Sequence, residues 1–155
     1  MSIVLSPPLL DTALCISQLK SRTREAALAE LVHSLEGSVA VRDAGLLRES
    51  LIRRERLATT AIGKGVAFPN VRSLSVGESR LVLARSTRGL SWDAADQLPV
   101  HLLCAVFSPA EWSEEMHHDS LTRAVTALRL QRQRQRLLDA RDSTALREAW
   151  RELVQ

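Results

Sequence analysis

The sequence predicts an α/β or α+β sandwich, a mixed sheet with helices packed against it. Three observations carry that prediction. The chain has 155 residues, the size of one domain, and the whole length 1–155 reads as a single domain. Its apolar residues fall at helical spacing near both ends and in short continuous runs between them. The resulting order, helix, helix, strands, helix, helix, is that of strands flanked by helices.

The elements follow in turn. Residues 1–22 read in part as an N-terminal arm, broken by Pro7 and Pro8. Thr23 is a natural N-cap for a first helix, in which Ala27, Leu28, Leu31, Val32 and Leu35 share a face until Gly37 stops the run. A second helix fits Ala44 to Arg54, with Leu47, Leu51 and Ile52 inward and Arg48, Glu49 and Arg53 outward. The stretch Ala61 to Asn70 has two glycines, a short apolar run and then Pro69-Asn70, which reads as a turn, a buried strand and a sharp exit. Arg80 to Ser86 and Val100 to Phe107 read as strands, the latter ending at Ser108-Pro109. One further strand is expected near Val39 to Val41 or Leu57 to Thr60. After an acidic loop, Glu111 to Glu115, a long helical segment begins near His117 and carries Leu121, Ala124, Val125 and Leu128 on one face. Ser143 caps a last helix carrying Leu146, Trp150 and Leu153.

Bulk properties narrow the function classes. Cys15 and Cys104 stand far apart and outside any metal-like or redox-like pair, which favours a reducing compartment and excludes a disulfide framework. No apolar run reaches the length of a membrane span, and the first residues lack a basic signal-peptide start, so a cytoplasmic protein without membrane insertion is expected. The net charge is +3. Lys20 and Lys64 are the only lysines, so the positive charge is almost entirely arginine, the side chain suited to bidentate anion binding. The arginine-rich segment 129–136 could meet nucleic-acid phosphates. However, Arg132 and Arg136 share a helical face that Arg134 leaves, and no aromatic is interleaved to stack on bases, so a solvated helix is the better reading. His117, His118, Asp119 and the neighbouring glutamates lack the spacing of a metal-ligand set, and neither metal nor cofactor is expected.

Gly63 and Gly65, set beside Arg54, Glu55, Thr60 and the polar tip Asn70, suggest a small anion-friendly site. The order of residues is more specific than that. Arg54-Glu55, then Thr59-Thr60-Ala61-Ile62-Gly63, then Gly65-Val66-Ala67-Phe68-Pro69-Asn70 resembles the signature of the fructose/mannitol-type and nitrogen-regulatory-type enzyme IIA domains of the bacterial phosphotransferase system. Their pattern runs Arg-Glu, Ser-Thr-Gly-Ile-Gly, Gly-Ile-Ala-Ile-Pro-His. Two further blocks are similar to the same family in the same order. One is Gly89-Leu90-Ser91-Trp92-Asp93 through Leu102; the other is His117 with Leu121, a helix ending in Leu137-Leu138-Asp139-Ala140, and a capped terminal helix. The resemblance covers about residues 23–154.

The resemblance implies a mixed, mostly five-stranded sheet with helices on both faces. It also implies an activity. Such domains accept a phosphoryl group from a histidine phosphocarrier protein and pass it to a sugar permease's IIB domain; nitrogen-type members instead regulate a transporter or kinase according to phosphorylation state. A weak homodimer is a further implication. The family's phosphoryl-accepting histidine falls on Asn70. An imidazole nitrogen attacks a phosphoryl group, whereas a carboxamide nitrogen has its lone pair delocalised and only forms hydrogen bonds. Of the surrounding family positions, Arg54 matches an arginine that steadies phosphate charge, Thr60 a hydroxyl, and His117 the second histidine, while Ala61 replaces a glycine. Arg72 adds positive charge near Asn70. The expectation is a regulatory enzyme IIA-like protein unable to accept phosphoryl at the usual position. The alternative is a working phosphocarrier, through His117 or with Asn70 an introduced change.

Overall fold

A computed structural model describes residue 10 and residues 12–155. Eleven elements follow one another: β1 (Leu14–Ile16), α1 (Arg24–His33), α2 (Ala44–Leu57), β2 (Ala61–Gly63), β3 (Val66–Ala67), β4 (Asn70–Ser73), β5 (Arg80–Leu90), β6 (Val100–Pro109), α3 (Glu114–Ala127), α4 (Gln131–Asp139) and α5 (Ser143–Val154). The sheet is mixed, with the order β1-β5-β6-β3-β2. β4 also pairs with β6, in parallel, at Asn70↔Val106, while β3 pairs with the same strand at Val66↔Leu102. Six strands therefore fill five lanes, because β3 and β4 lie end to end along one edge of β6 with Phe68-Pro69 between them. The expected five-strand sheet is the same object, counted by lanes.

β6 shows why the sheet sits between two helical layers. Leu103, Ala105 and Phe107 join Leu28, Leu31, Leu47, Leu51 and Trp92 in one apolar cluster. The intervening Leu102, Cys104 and Val106 join Leu137, Leu146 and Trp150 in the other. Alternate side chains of a strand point to opposite faces, so a continuous apolar run is buried on both. Each fully buried leucine contributes roughly 1.5–3 kcal/mol.

Several boundaries differ from the sequence reading, each for a local reason. The stretch expected as an arm contributes β1, which pairs in parallel with β5 (Cys15↔Leu83); the residues through Pro8 lie outside the described part. α2 runs on to Leu57, where the Ala58 amide closes its last turn on the Arg54 carbonyl, and Glu55 of that turn is buried rather than solvated. β5 continues past Ser86 to Leu90, which pairs with Val100 after an irregular stretch. The additional strand is only a single bridge, Val41↔Val76; Leu57 belongs to α2 and residues 58–60 form no strand. α3 starts three residues before His117: Ser113 is the N-cap, accepting from the Met116 amide at 3.1 Å, and Glu114 and Glu115 of the acidic loop form the first turn, where negative charge favours the helix dipole. The long helix breaks at 128–130 into α3 and α4. The cap of α5 is Asp142, whose Oδ1 accepts from the Ala145 amide at 2.8 Å, and Ser143 is the first helical residue. The Thr23 cap stands as expected, accepting from the Ala26 amide at 3.2 Å.

Candidate functional site

Asn70 opens β4 at the point where Pro69 delivers the chain to the edge of β6. The Val106 amide donates to the Pro69 carbonyl at 2.9 Å, which fixes the backbone there. The Asn70 side chain is buried, and its orientation is set by two bonds. Nδ2 donates to the Phe68 carbonyl at 2.9 Å, which leaves Oδ1 as the atom facing His117 Nε2 at 3.1 Å. An amide oxygen only accepts, so His117 carries its proton on Nε2 and donates it to Asn70. His117 Nδ1 then has the lone pair, and it lies 2.7 Å from Ser108 Oγ, whose hydroxyl donates to it. The hydroxyl–imidazole–carboxamide chain thus uses both ring nitrogens of a neutral histidine.

The electrostatics agree with that protonation state. Burial pushes the His117 pKa below the ordinary histidine value, and the positive charges of Arg72, His118 and Arg54 push it in the same direction. Two guanidiniums therefore act on the site. Arg54, at the end of α2, donates from Nη1 to the Ala58 carbonyl at 2.9 Å. Arg72, on β4, donates to the carbonyls of Ala110 and Trp112 at 3.1 and 2.8 Å, and its Nη2 lies 3.7 Å from the exposed Glu114. Carbonyl partners hold both side chains in place; Arg54 has no carboxylate partner among the described residues, while Arg72 shares its charge with the exposed Glu114.

Thr60 has hydrogen-bond partners of its own. Its amide and hydroxyl both donate to the buried Glu55 carboxylate, at 2.6 and 2.7 Å, and Trp92 Nε1 adds a third bond at 3.0 Å. Thr60 and Glu55 thus tie the end of α2 to the start of β2 and to the loop after β5, and the Thr60 carbonyl accepts from the Phe68 amide at 3.1 Å, two residues before Asn70. Ser108 is a site residue that sequence reasoning misses. Its one signal is its place at the polar end of an apolar strand directly before Pro109. Of the arginine-rich segment, Arg132 is exposed, Arg136 pairs with Glu152, and Arg134 turns back to the carbonyls of Leu128 and Arg129. Among the described residues, no three His, Cys, Asp or Glu side chains gather as metal ligands would, and no helix is long and apolar enough to cross a membrane.

A parallel-edge strand that presents residue 70 to a helix-borne histidine between two arginines is an arrangement suited to phosphoryl chemistry or its recognition. Comparison with known proteins agrees. Residues 9–152 match the family model described as phosphoenolpyruvate-dependent sugar phosphotransferase system, EIIA 2, and the chain belongs to that family. It is 32% identical over 119 residues to the fructose-specific EIIA component of Haloferax volcanii, covering 77% of this chain and 75% of that one. It is 30% identical over 128 residues to a nitrogen regulatory protein of Bradyrhizobium diazoefficiens, covering 83% and 82%. Against the fructose-specific EIIABC component of Bacillus subtilis it is 27% identical over 128 residues, 83% of this chain but only 20% of that much longer protein. Among solved structures, the nitrogen regulatory protein IIA-Ntr of Neisseria meningitidis superposes with a TM-score of 0.79 at 22% identity, covering 96% and 99% of the two chains. The IIA mannitol of Escherichia coli, solved in complex with phosphorylated enzyme IIB mannitol, superposes with a TM-score of 0.73 at 18% identity, covering 88% and 92%. These structural likenesses show the fold.

Proposed function

We propose that this chain is a non-catalytic, regulatory member of the enzyme IIA family, a binding module held in the state of an unphosphorylated domain. The observation that carries the reading is the buried Asn70–His117 pair. At the position where the resemblance places the phosphoryl acceptor, the side chain is a carboxamide, and it occupies the Nε2 proton of the neighbouring histidine at 3.1 Å. A carboxamide reproduces the hydrogen bonding of a neutral imidazole without its nucleophilic lone pair. Transfer through His117 is disfavoured by the same geometry: Nε2 is protonated and Nδ1 is taken by Ser108 inside a half-buried ring. In-line attack needs a free lone pair aimed at the donor.

The partners that fit this reading are cytoplasmic: a histidine phosphocarrier protein, a IIB domain, or a transporter or kinase regulated by the unphosphorylated form. Arg54 and Arg72 would meet the anionic side of such a partner and Thr60 would support them through Glu55. A weak homodimer remains part of the same proposal. The test is incubation of the wild-type chain with phosphoenolpyruvate, enzyme I and the phosphocarrier protein, followed by intact-mass measurement. No phosphoryl gain is expected. Stoichiometric labelling, mapped to any residue of this chain, contradicts the reading.

A further inference from the structure

Away from Asn70, a cavity of about 370 Å³ opens where the β2–β3 turn, the start of β6 and α4 meet. Leu98, Pro99, Leu102 and Leu138 make its apolar walls, and Lys64 and Arg134 stand at its edge. It is separate from the candidate site. Leu102 and Val106 are four residues apart on β6, about 13 Å along the strand, and Val106 is the residue that pairs with Asn70.

Three independent features set this cavity apart. Its size and mainly apolar lining are those of small-ligand sites. Leu98 and Leu138 are 51% and 37% exposed at its rim, an apolar surface that no described residue covers. Its charge is one-sided. Neither Lys64 nor Arg134 has a carboxylate partner among the described residues; Arg134 is anchored on the Leu128 and Arg129 carbonyls at 2.9 and 2.8 Å, which fixes its position and leaves its charge. No acid is among the lining residues: Asp96, which accepts from the amides of Lys64 and Leu98 at 2.7 and 3.1 Å, and Asp139, which accepts from Gln135 at 2.8 Å, keep their charge but stand outside the lining. Lys64 has a left-handed conformation, φ 59°, as the first residue of the two-residue turn between β2 and β3. Asp93 and Gln97, in the adjoining loop, are the other two non-glycine residues with positive φ among the described residues.

We propose that this cavity is a second binding site, for a small monoanion with a short apolar body, whose anionic end meets Lys64 and Arg134 and whose body packs on Leu102 and Leu138. The site is independent of the Asn70 reading, and its failure would leave that reading untouched.

Titration of the ¹⁵N-labelled full chain with hexanoate, followed by amide shifts, tests it. Saturable shifts are expected at Gly65, Leu102, Gln135 and Leu138. 1-Hexanol, which lacks the charge, binds at least tenfold more weakly. Lys64→Gly removes the cation while suiting the positive φ, so the fold is kept; hexanoate affinity falls about tenfold. Leu138→Glu, at an exposed helical position, abolishes saturation by placing a like charge at the rim. The proposal is overturned by the absence of saturable shifts at those amides, by shifts confined to Asn70–Arg72, by equal affinity for hexanoate and hexanol, or by unchanged affinity in both variants.

Discussion

Asn70 and His117 determine each other's state. The Phe68 carbonyl orients the carboxamide, the carboxamide selects the histidine tautomer, and Ser108 satisfies the remaining nitrogen. His117 is accordingly expected to be neutral with its proton on Nε2 at pH 7, and ¹⁵N imidazole shifts read this directly. The direction of its pKa gives a stability prediction. Its folded value lies below the ordinary one because burial and then Arg72 disfavour the charged ring. The unfolded chain therefore binds the proton first as pH falls, so the contribution is complete above the unfolded value near 6.5 and is lost as pH drops toward the folded value. Urea midpoints should decline over that window, and His117→Gln should flatten the decline. Legibility at this scale is uneven. Arg54, Asn70, Arg72 and His117 are visible in the sequence because their types stand out against apolar neighbours or match a motif. Thr60 matches a motif position, and the sequence does not show that its hydroxyl donates to Glu55, a partner five residues away across the end of α2. Ser108 is hidden because a serine at a strand end is ordinary until a histidine from another element is seen on it.

At the scale of elements, the longest apolar runs are legible in the sequence and the short or polar ones are not. β5 and β6 declare themselves through continuous buried residues. β1 is three residues long, and β4, Asn70-Val71-Arg72-Ser73, is too polar to read as a strand. β4 exists because β6 offers it a free edge, a tertiary cause that no local window contains. Arg85 shows the reverse case, a charge inside an apolar strand that holds two elements together. It is buried and donates to the carbonyls of Ser17, Leu137, Leu138 and Ala140. It thereby satisfies the carbonyls at the C-terminal end of α4 and fastens that helix to β5. Arg85→Met keeps the packing volume but orphans these acceptors, at a cost of about 2–4 kcal/mol. Lowered urea midpoints and faster amide exchange across Gln131–Asp139 would show it; an unchanged α4 would argue that other contacts suffice.

For the whole molecule, the sheet joins two apolar cores that share β5 and β6. Trp92 is buried in one and Trp150 in the other. The shared strands predict that both cores unfold together. Fluorescence of Trp92→Phe and Trp150→Phe, each in a Trp112→Phe background, isolates one core at a time. Within either variant, the fluorescence transition should coincide with circular dichroism; a separate, earlier fluorescence transition would mean that the two layers are independent units. This architecture is legible from sequence because helix–strand order and three motif blocks span most of the chain, and none of them depends on the residue at position 70. The same frame brings His117 onto residue 70 and the charges of Arg54 and Arg72 to bear on it, and under the proposed function these are the surroundings of an acceptor, with a carboxamide in the acceptor's place.

That claim is open to a gain-of-function measurement. Asn70→His and wild type, purified alike, are incubated with phosphoenolpyruvate, enzyme I and the histidine phosphocarrier protein, and their intact masses are followed with time. One phosphoryl group on Asn70→His, acid-labile and mapped to residue 70, with none on wild type, is the expected result. Labelling of the wild-type chain at His117, or equal labelling of both proteins, would contradict the account.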